Sequence, residues 1–165
     1  MFILYPDARL SQAAALRPVV DDDLRAIGER LLVAARQASA YGLAAAHLGE
    51  VAPVVVISED GVAHRLLFNP IITDVATEVA IGEEGSVSLP GVRVEIRRPV
   101  WVDVESANVA GLRQSERFEG FAARVVQHEI EQMQGRFFLE RLSRLKRQMV
   151  LKRLRKSRFD LTLET

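Results

Sequence analysis

The apolar residues of this chain change period at Gly120, and that change limits the fold more than any other feature. Before it, Val92, Val94 and Ile96 alternate with Arg93, Glu95 and Arg97. Val100, Val102 and Val104 then alternate with Trp101 and Asp103, the two runs parted by Arg98-Pro99. A period of two sends one set of side chains inward and the other outward, so both runs read as half-buried strands. After Gly120, Phe121, Val125, Ile130 and Met133 recur at helical spacing, which predicts a helix with a core-facing side and Gly135 as its C-terminal cap. Near the start, Asp21, Asp22 and Asp23 stand ahead of Leu24, Ile27, Leu31 and Leu32. Acids there satisfy free N–H groups and the helix dipole, so a first helix is predicted over about residues 22–39, ended by Tyr41-Gly42. Pro53 to Ile57 reads as a buried strand, and Leu66-Leu67-Phe68 as a shorter one closed by Asn69-Pro70. Helix, strands, helix, helix is not a βαβ alternation, so the class is α+β, and no composition break divides residues 1–165 into two domains.

The zero net charge conceals an asymmetry. Residues 141–158 hold nine Lys or Arg and no acid, leaving 13 of the 22 basic residues against all 22 acids in the rest of the chain. Leu142, Leu145, Met149 and Leu154 run through this stretch at helical spacing, predicting a basic amphipathic helix over 143–158 that ends at about Ser157. No apolar run approaches the roughly 18 residues of a membrane span, and the N-terminus lacks the basic-then-apolar order of a signal peptide. There is no cysteine, hence no disulfide and no thiolate ligand, which suits a cytoplasmic protein.

Three segments carry candidate chemistry. Gly42-Leu43-Ala44-Ala45-Ala46-His47-Leu48-Gly49 is built of small residues that admit close backbone approach; alone it reads as a helix end entering a strand. Glu84-Gly85-Ser86-Val87-Ser88-Leu89-Pro90-Gly91 reads as a turn that can present N–H groups to a carbonyl oxygen. Gln127-His128-Glu129-Ile130-Glu131-Gln132 places His128 and Gln132 four apart on one helical face. In a His-Glu-x-x-His helix two such histidines share a metal and the glutamate is the general base; here the second position is Gln132.

In this order the segments resemble the three motifs of peptide deformylases, Gly-x-Gly-x-Ala-Ala-x-Gln, Glu-Gly-Cys-x-Ser and His-Glu-x-x-His. Leu4-Tyr5-Pro6-Asp7 with Leu10, Pro18-Val19, Phe68-Asn69-Pro70, Ala123 through Glu129 and Arg141-Leu142-Ser143 extend the resemblance over nearly the whole chain. It implies antiparallel sheets around a central helix carrying His128 and Glu129, followed by the basic helix. It also implies a bacterial-type protein that meets the N-terminal peptides of nascent chains, with ribosome contact through Arg141–Arg158 and no membrane role.

By that resemblance the family's metal ligands fall at Ser86, His128 and Gln132, where the family has Cys, His and His. His47 replaces the glutamine that polarises the formyl carbonyl, and Ala40 the first motif glycine. Glu129 matches the general acid/base and Val87 the backbone oxyanion donor, while Gly42, Leu43, Val87, Leu89 and Gly91 match the wall that holds an extended peptide. A hydroxyl and a carboxamide are poor substitutes for thiolate and imidazole, so no metal is expected and family deformylation is expected to be lost. Two other assemblies stay open: zinc or iron(II) on His47, His128 and a carboxylate from Glu129 or Glu131, and a Ser86 nucleophile activated by His47 or His128.

Overall fold

The computed structural model describes residues 1–163, with side chains described through residue 155. Helix α1 (Asp22–Ala38) opens where the Asp21 carboxylate accepts the Leu24 N–H at 2.8 Å. It closes at Ser39, in the left-handed region at φ 48°, two residues ahead of the expected Tyr41-Gly42 stop. Strands β1 (Gly42–Ala44), β2 (Val54–Ile57), β3 (Arg65–Val75), β6 (Trp101–Ala107) and β7 (Arg113–Glu119) form an antiparallel sheet in the order β1-β2-β3-β6-β7. Strands β4 (Val79–Ser86) and β5 (Leu89–Pro99) form a separate antiparallel hairpin. Helices α2 (Gly120–Met133) and α3 (Arg144–Leu163) follow, and no described helix is long and apolar enough to cross a membrane.

Strand β2 organises the layers. All four of its residues are buried, as its unbroken apolar run predicts. Successive side chains point to opposite faces of a strand. Val54 and Val56 therefore join Leu24, Ile27 and Leu31 of α1, and Val55 joins Val126 and Ile130 of α2. The sheet is thus covered by one helix on each face. A third cluster, built from Leu10, Leu89, Ile96, Phe137, Phe138 and Leu139, fills the space beside the hairpin and takes Val150, Leu151 and Leu154 from α3.

Several expectations are corrected. Strand β3 does not stop at Asn69-Pro70 but runs through it, its register to β6 shifting between Phe68 and Ile71. Asn69 absorbs the irregularity at φ 51°, and its Oδ1 accepts the Arg17 N–H at 2.8 Å. Residues 84–91 are not an open turn: β4 and β5 pair as far as Ser86–Leu89, so only Val87 and Ser88 form the connection. Phe121 does not join the core: it is 49% exposed, lies edge-on to Tyr41 and lines the cavity of the candidate site. Helix α3 starts at Arg144 and runs on to Leu163 instead of ending near Ser157. Leu154 on it and Leu142 just before it pack inward, but Leu145 and Met149 are 68% and 49% exposed. At about 100° per residue those two lie opposite the face that Val150, Leu151 and Leu154 share.

Gly135 supplies the stop expected of it. It follows the cap residue Gln134 at φ 76°, and a Cβ there would lie 2.8 Å from Ser11 O and 2.9 Å from Ala13 N. Gly135→Ala therefore meets both a left-handed backbone cost and rigid main-chain overlap. It is expected to lower unfolding stability by about 2–4 kcal/mol, measured by urea denaturation.

Candidate functional site

Helix α2 lies between the sheet and the β4–β5 hairpin, so its polar residues Gln127, His128, Glu129, Glu131 and Gln132 are all buried. Gly42 makes the close packing with β1 workable. A Cβ on it would stand 2.7 Å from both Cγ and Oε1 of Glu129 and 2.8 Å from Val125. From β1 the chain enters a short 3-10 turn, Ala45–Leu48, which folds the His47 ring back under Ala44. His47 Nδ1 lies 3.0 Å from Ala44 N and 3.1 Å from Ala44 O, and Nε2 lies 3.3 Å from Ser86 Oγ. Ser86 ends β4, and its Oγ accepts the Ser88 N–H at 3.2 Å. The N-terminal segment ties these parts together: Ile3 N–H donates to His47 O at 2.9 Å and Tyr5 N–H to Ser88 O at 2.8 Å.

Behind this surface lies a buried ion network that sequence reasoning missed. Arg98 Nε donates to Glu84 Oε1 at 2.5 Å and Nη2 to Glu84 Oε2 at 2.9 Å; Nη1 donates to Glu131 at 2.9 Å. Arg124 adds a 2.8 Å bond to Glu84, and Arg141 closes on Glu131. Glu84 Oε2 also meets His128 Nδ1 at 2.8 Å. Burial opposes ionisation of Glu84, but His128 and Arg98 overcome it and hold the carboxyl down at about 2. Burial likewise disfavours a charged His128, yet Glu129 and Glu84 outweigh it and raise that group. The only signal of the network in the sequence was Arg98 breaking the strand alternation; its partners are distant in the chain.

His47 and Glu129, which lie outside that network, behave in the opposite way. Burial, reinforced by nearby His128, lowers the His47 imidazolium to about 3, so the ring is neutral near pH 7. Burial pushes Glu129 up to about 7. Its Oε2 has no hydrogen-bond partner and lies 3.8 Å from His47 Nδ1.

A cavity of about 430 Å³ gathers nearly every residue singled out from the sequence: Gly42, Leu43, His47, Ser86, Val87, Leu89, Gly91, His128 and Glu129 all line it. Gln132 does not. Its Nε2 donates to Leu10 O at 2.7 Å and its Oε1 is buried without a partner. Glu131, two residues from Glu129 and so on another side of the helix, is held by Arg98 and Arg141 and is not available to a ligand beside His47. Among the described residues, no three His, Cys, Asp or Glu side chains converge as a metal-ligand set.

Two outcomes follow. Glu129 keeps its proton in the folded chain from its ordinary value near 4.5 up to about 7, whereas the unfolded chain loses it. Stability should fall as pH rises through that window, with a cost on the order of 3 kcal/mol fully present above it. Glu129→Gln is therefore expected to raise the melting temperature at pH 8 and to change it little at pH 4.5. Arg98→Met leaves Glu84 to Arg124 and His128 and Glu131 to Arg141 but removes the buried cation between the two carboxylates, and should cost roughly 3 kcal/mol, read by denaturant unfolding at neutral pH.

Comparison with known proteins agrees with the fold. The family model described as Polypeptide deformylase matches residues 1–148. A peptide deformylase-like protein of Agrobacterium fabrum is 41% identical over 154 residues, covering 93% of this chain and 94% of its own. A peptide deformylase of Rhizorhabdus wittichii is 35% identical over 162 residues, covering 93% and 92%. The crystal structure of peptide deformylase from Ehrlichia chaffeensis superposes with a TM-score of 0.87 at 28% identity, covering 97% of each chain. That of a peptide deformylase from Legionella pneumophila gives 0.87 at 29% identity, covering 98% of this chain and 96% of its own.

Proposed function

The chain belongs to the peptide deformylase family, and from that premise we propose that it uses the family's groove to hold the N-terminal end of an extended peptide, or a short acyl group, without metal-dependent removal of formyl groups. The observation that carries this reading is the donor set at the family's ligand positions. Ser86 Oγ is engaged by His47 and Ser88, Gln132 Nε2 is committed to Leu10 O, and only His128 offers an imidazole. One imidazole and two neutral oxygens do not fit zinc or iron(II). Zinc binding in small structural sites is worth roughly 10–16 kcal/mol at neutral pH, so two weak replacements forfeit several kcal/mol and orders of magnitude in affinity. Without the ion no water is acidified toward a pKa of about 7, and Glu129 has no strong nucleophile to generate.

The groove keeps its parts. Gly42, Val87, Leu89 and Gly91 line the cavity on the backbone side, where a peptide could add as an extended strand. On this reading the protein works in the bacterial cytoplasm, near nascent chains. Binding of a formyl-methionyl peptide with a Kd below about 1 mM in calorimetric titration is expected, and no heat up to that concentration would overturn the proposal. The triple variant Ser86→Cys, Gln132→His, His47→Gln should acquire metal and deformylase activity, since the network behind the site still orients His128 through Glu84.

A second reading concerns α3. Arg144, Lys146, Lys152, Arg153 and Arg155 take part in no ion pair among the described residues, and Leu145 and Met149 stand exposed beside them. Arg141 is excluded from that free set by Glu131, and the side chains of Lys156 and Arg158 lie outside the described residues. Such a surface suits RNA phosphates. Co-sedimentation with ribosomes that weakens with salt, and is lost on deleting residues 143–165, is the expected result.

A further inference from the structure

We propose that Ser86, His47 and Glu129 form a serine acyl-transfer centre at this site, with the Val87 N–H as oxyanion donor and a short formyl- or acetyl-bearing ester or amide as its substrate class. The proposal rests on the preceding reading that Ser86 serves no metal.

The geometry follows the order of a nucleophile, a base and an orienting acid. Ser86 Oγ lines the cavity and stands 3.3 Å from His47 Nε2. Oγ already accepts the Ser88 N–H. With the proton on Nδ1, Ser86 O–H donates to Nε2 and Nδ1–H faces two acceptors, Ala44 O at 3.1 Å and Glu129 Oε2 at 3.8 Å. The Ala44 N–H at 3.0 Å suits the other tautomer, and it also lies within reach of the Glu129 carboxylate. The unpartnered Glu129 Oε2 is the independent sign. A buried oxygen without a donor is unfavourable, and an imidazole turned toward it would satisfy that oxygen while completing the relay. Unliganded sites commonly hold such bonds long and tighten them when substrate enters. Val87 directly follows the nucleophile, lines the cavity, and its N–H makes no hydrogen bond among the described residues. That is the position from which a backbone donor reaches a tetrahedral oxyanion.

The reaction balances without any cofactor. Ser86 Oγ bonds to the acyl carbon while its proton passes to His47 Nε2, and the carbonyl oxygen becomes an oxyanion at Val87 N–H. The bond from carbon to the leaving oxygen or nitrogen breaks, and the leaving group takes the proton from Nε2. Water then attacks the acyl-serine, giving its proton to Nε2, which returns it to Ser86 as the carboxylic acid departs. Glu129 touches no reacting atom. It acts as a positioning residue through His47.

The test treats the intact chain with an organophosphonate fluoride and with 4-nitrophenyl formate. Stoichiometric phosphonylation of Ser86 by peptide mapping, and a burst of nitrophenol, are expected. Ser86→Ala should abolish both, and His47→Gln should slow labelling on the order of a hundredfold. Glu129→Gln should slow it roughly tenfold, with part of the rate recovered in Glu129→Asp, a rescue that a purely structural role would not give. Absence of Ser86 labelling in wild-type protein that still binds formyl-methionyl peptide would overturn the proposal, as would labelling indifferent to His47→Gln in a folded variant. Labelling without any peptide affinity would instead count against the binding reading alone.

Discussion

The buried guanidinium of Arg98 is the interaction on which the site depends. It joins Glu84 on the β4–β5 hairpin to Glu131 on α2, and so fixes two elements that belong to different parts of the architecture. The cavity is the gap between them. A buried ion pair gains little over apolar packing in stability, but it penalises any arrangement that leaves one charge without its partner. Here it sets hairpin height and helix rotation together. Glu84, held in place by Arg98 and Arg124, then receives His128 Nδ1 and orients that ring. Glu84 thus ties the His128 ring, which packs against Phe138, to the same network.

Charge inside the cavity is arranged at a cost. The network behind the wall is fully paired, whereas Glu129 faces the cavity with one oxygen unpartnered and a carboxyl raised to about 7. His47 is neutral at the same pH. A carboxylate kept uncomfortable and a histidine kept uncharged make a pocket that a folded chain would be more stable without. Such a conflict between local comfort and the global fold is characteristic of sites that bind or react.

Much of the fold was legible where one physical signal dominated. The Asp21–Asp23 run marked the start of α1, the unbroken apolar run marked β2, and Gly135 marked the end of α2. The failures have equally specific causes. Strand β7 reads Arg-Gln-Ser-Glu-Arg-Phe-Glu and lies at the sheet edge, with Phe118 its one buried residue, so it shows almost no apolar alternation. Strand β3 passes through Asn69-Pro70 because Asn69 takes a left-handed conformation that the sequence does not announce. Of the stripe Leu142, Leu145, Met149 and Leu154, the first and last meet the body, but Leu145 and Met149 do not, and Val150 and Leu151 take their place. At the site, the motifs gave the residues around the cavity, but not Arg98 or the role of Glu84. Those partners are set by sheet register and helix rotation, which no local pattern encodes.

On the proposed reading, the deformylase scaffold persists while the Ser86–His47 contact organises the cavity in place of a metal. Calorimetric titration of zinc into metal-free protein at neutral pH tests this most directly. No site tighter than about 100 µM is expected, with heats unchanged in Ser86→Ala. A stoichiometric site with Kd below about 1 µM, lost when His128 is replaced, would contradict that reading.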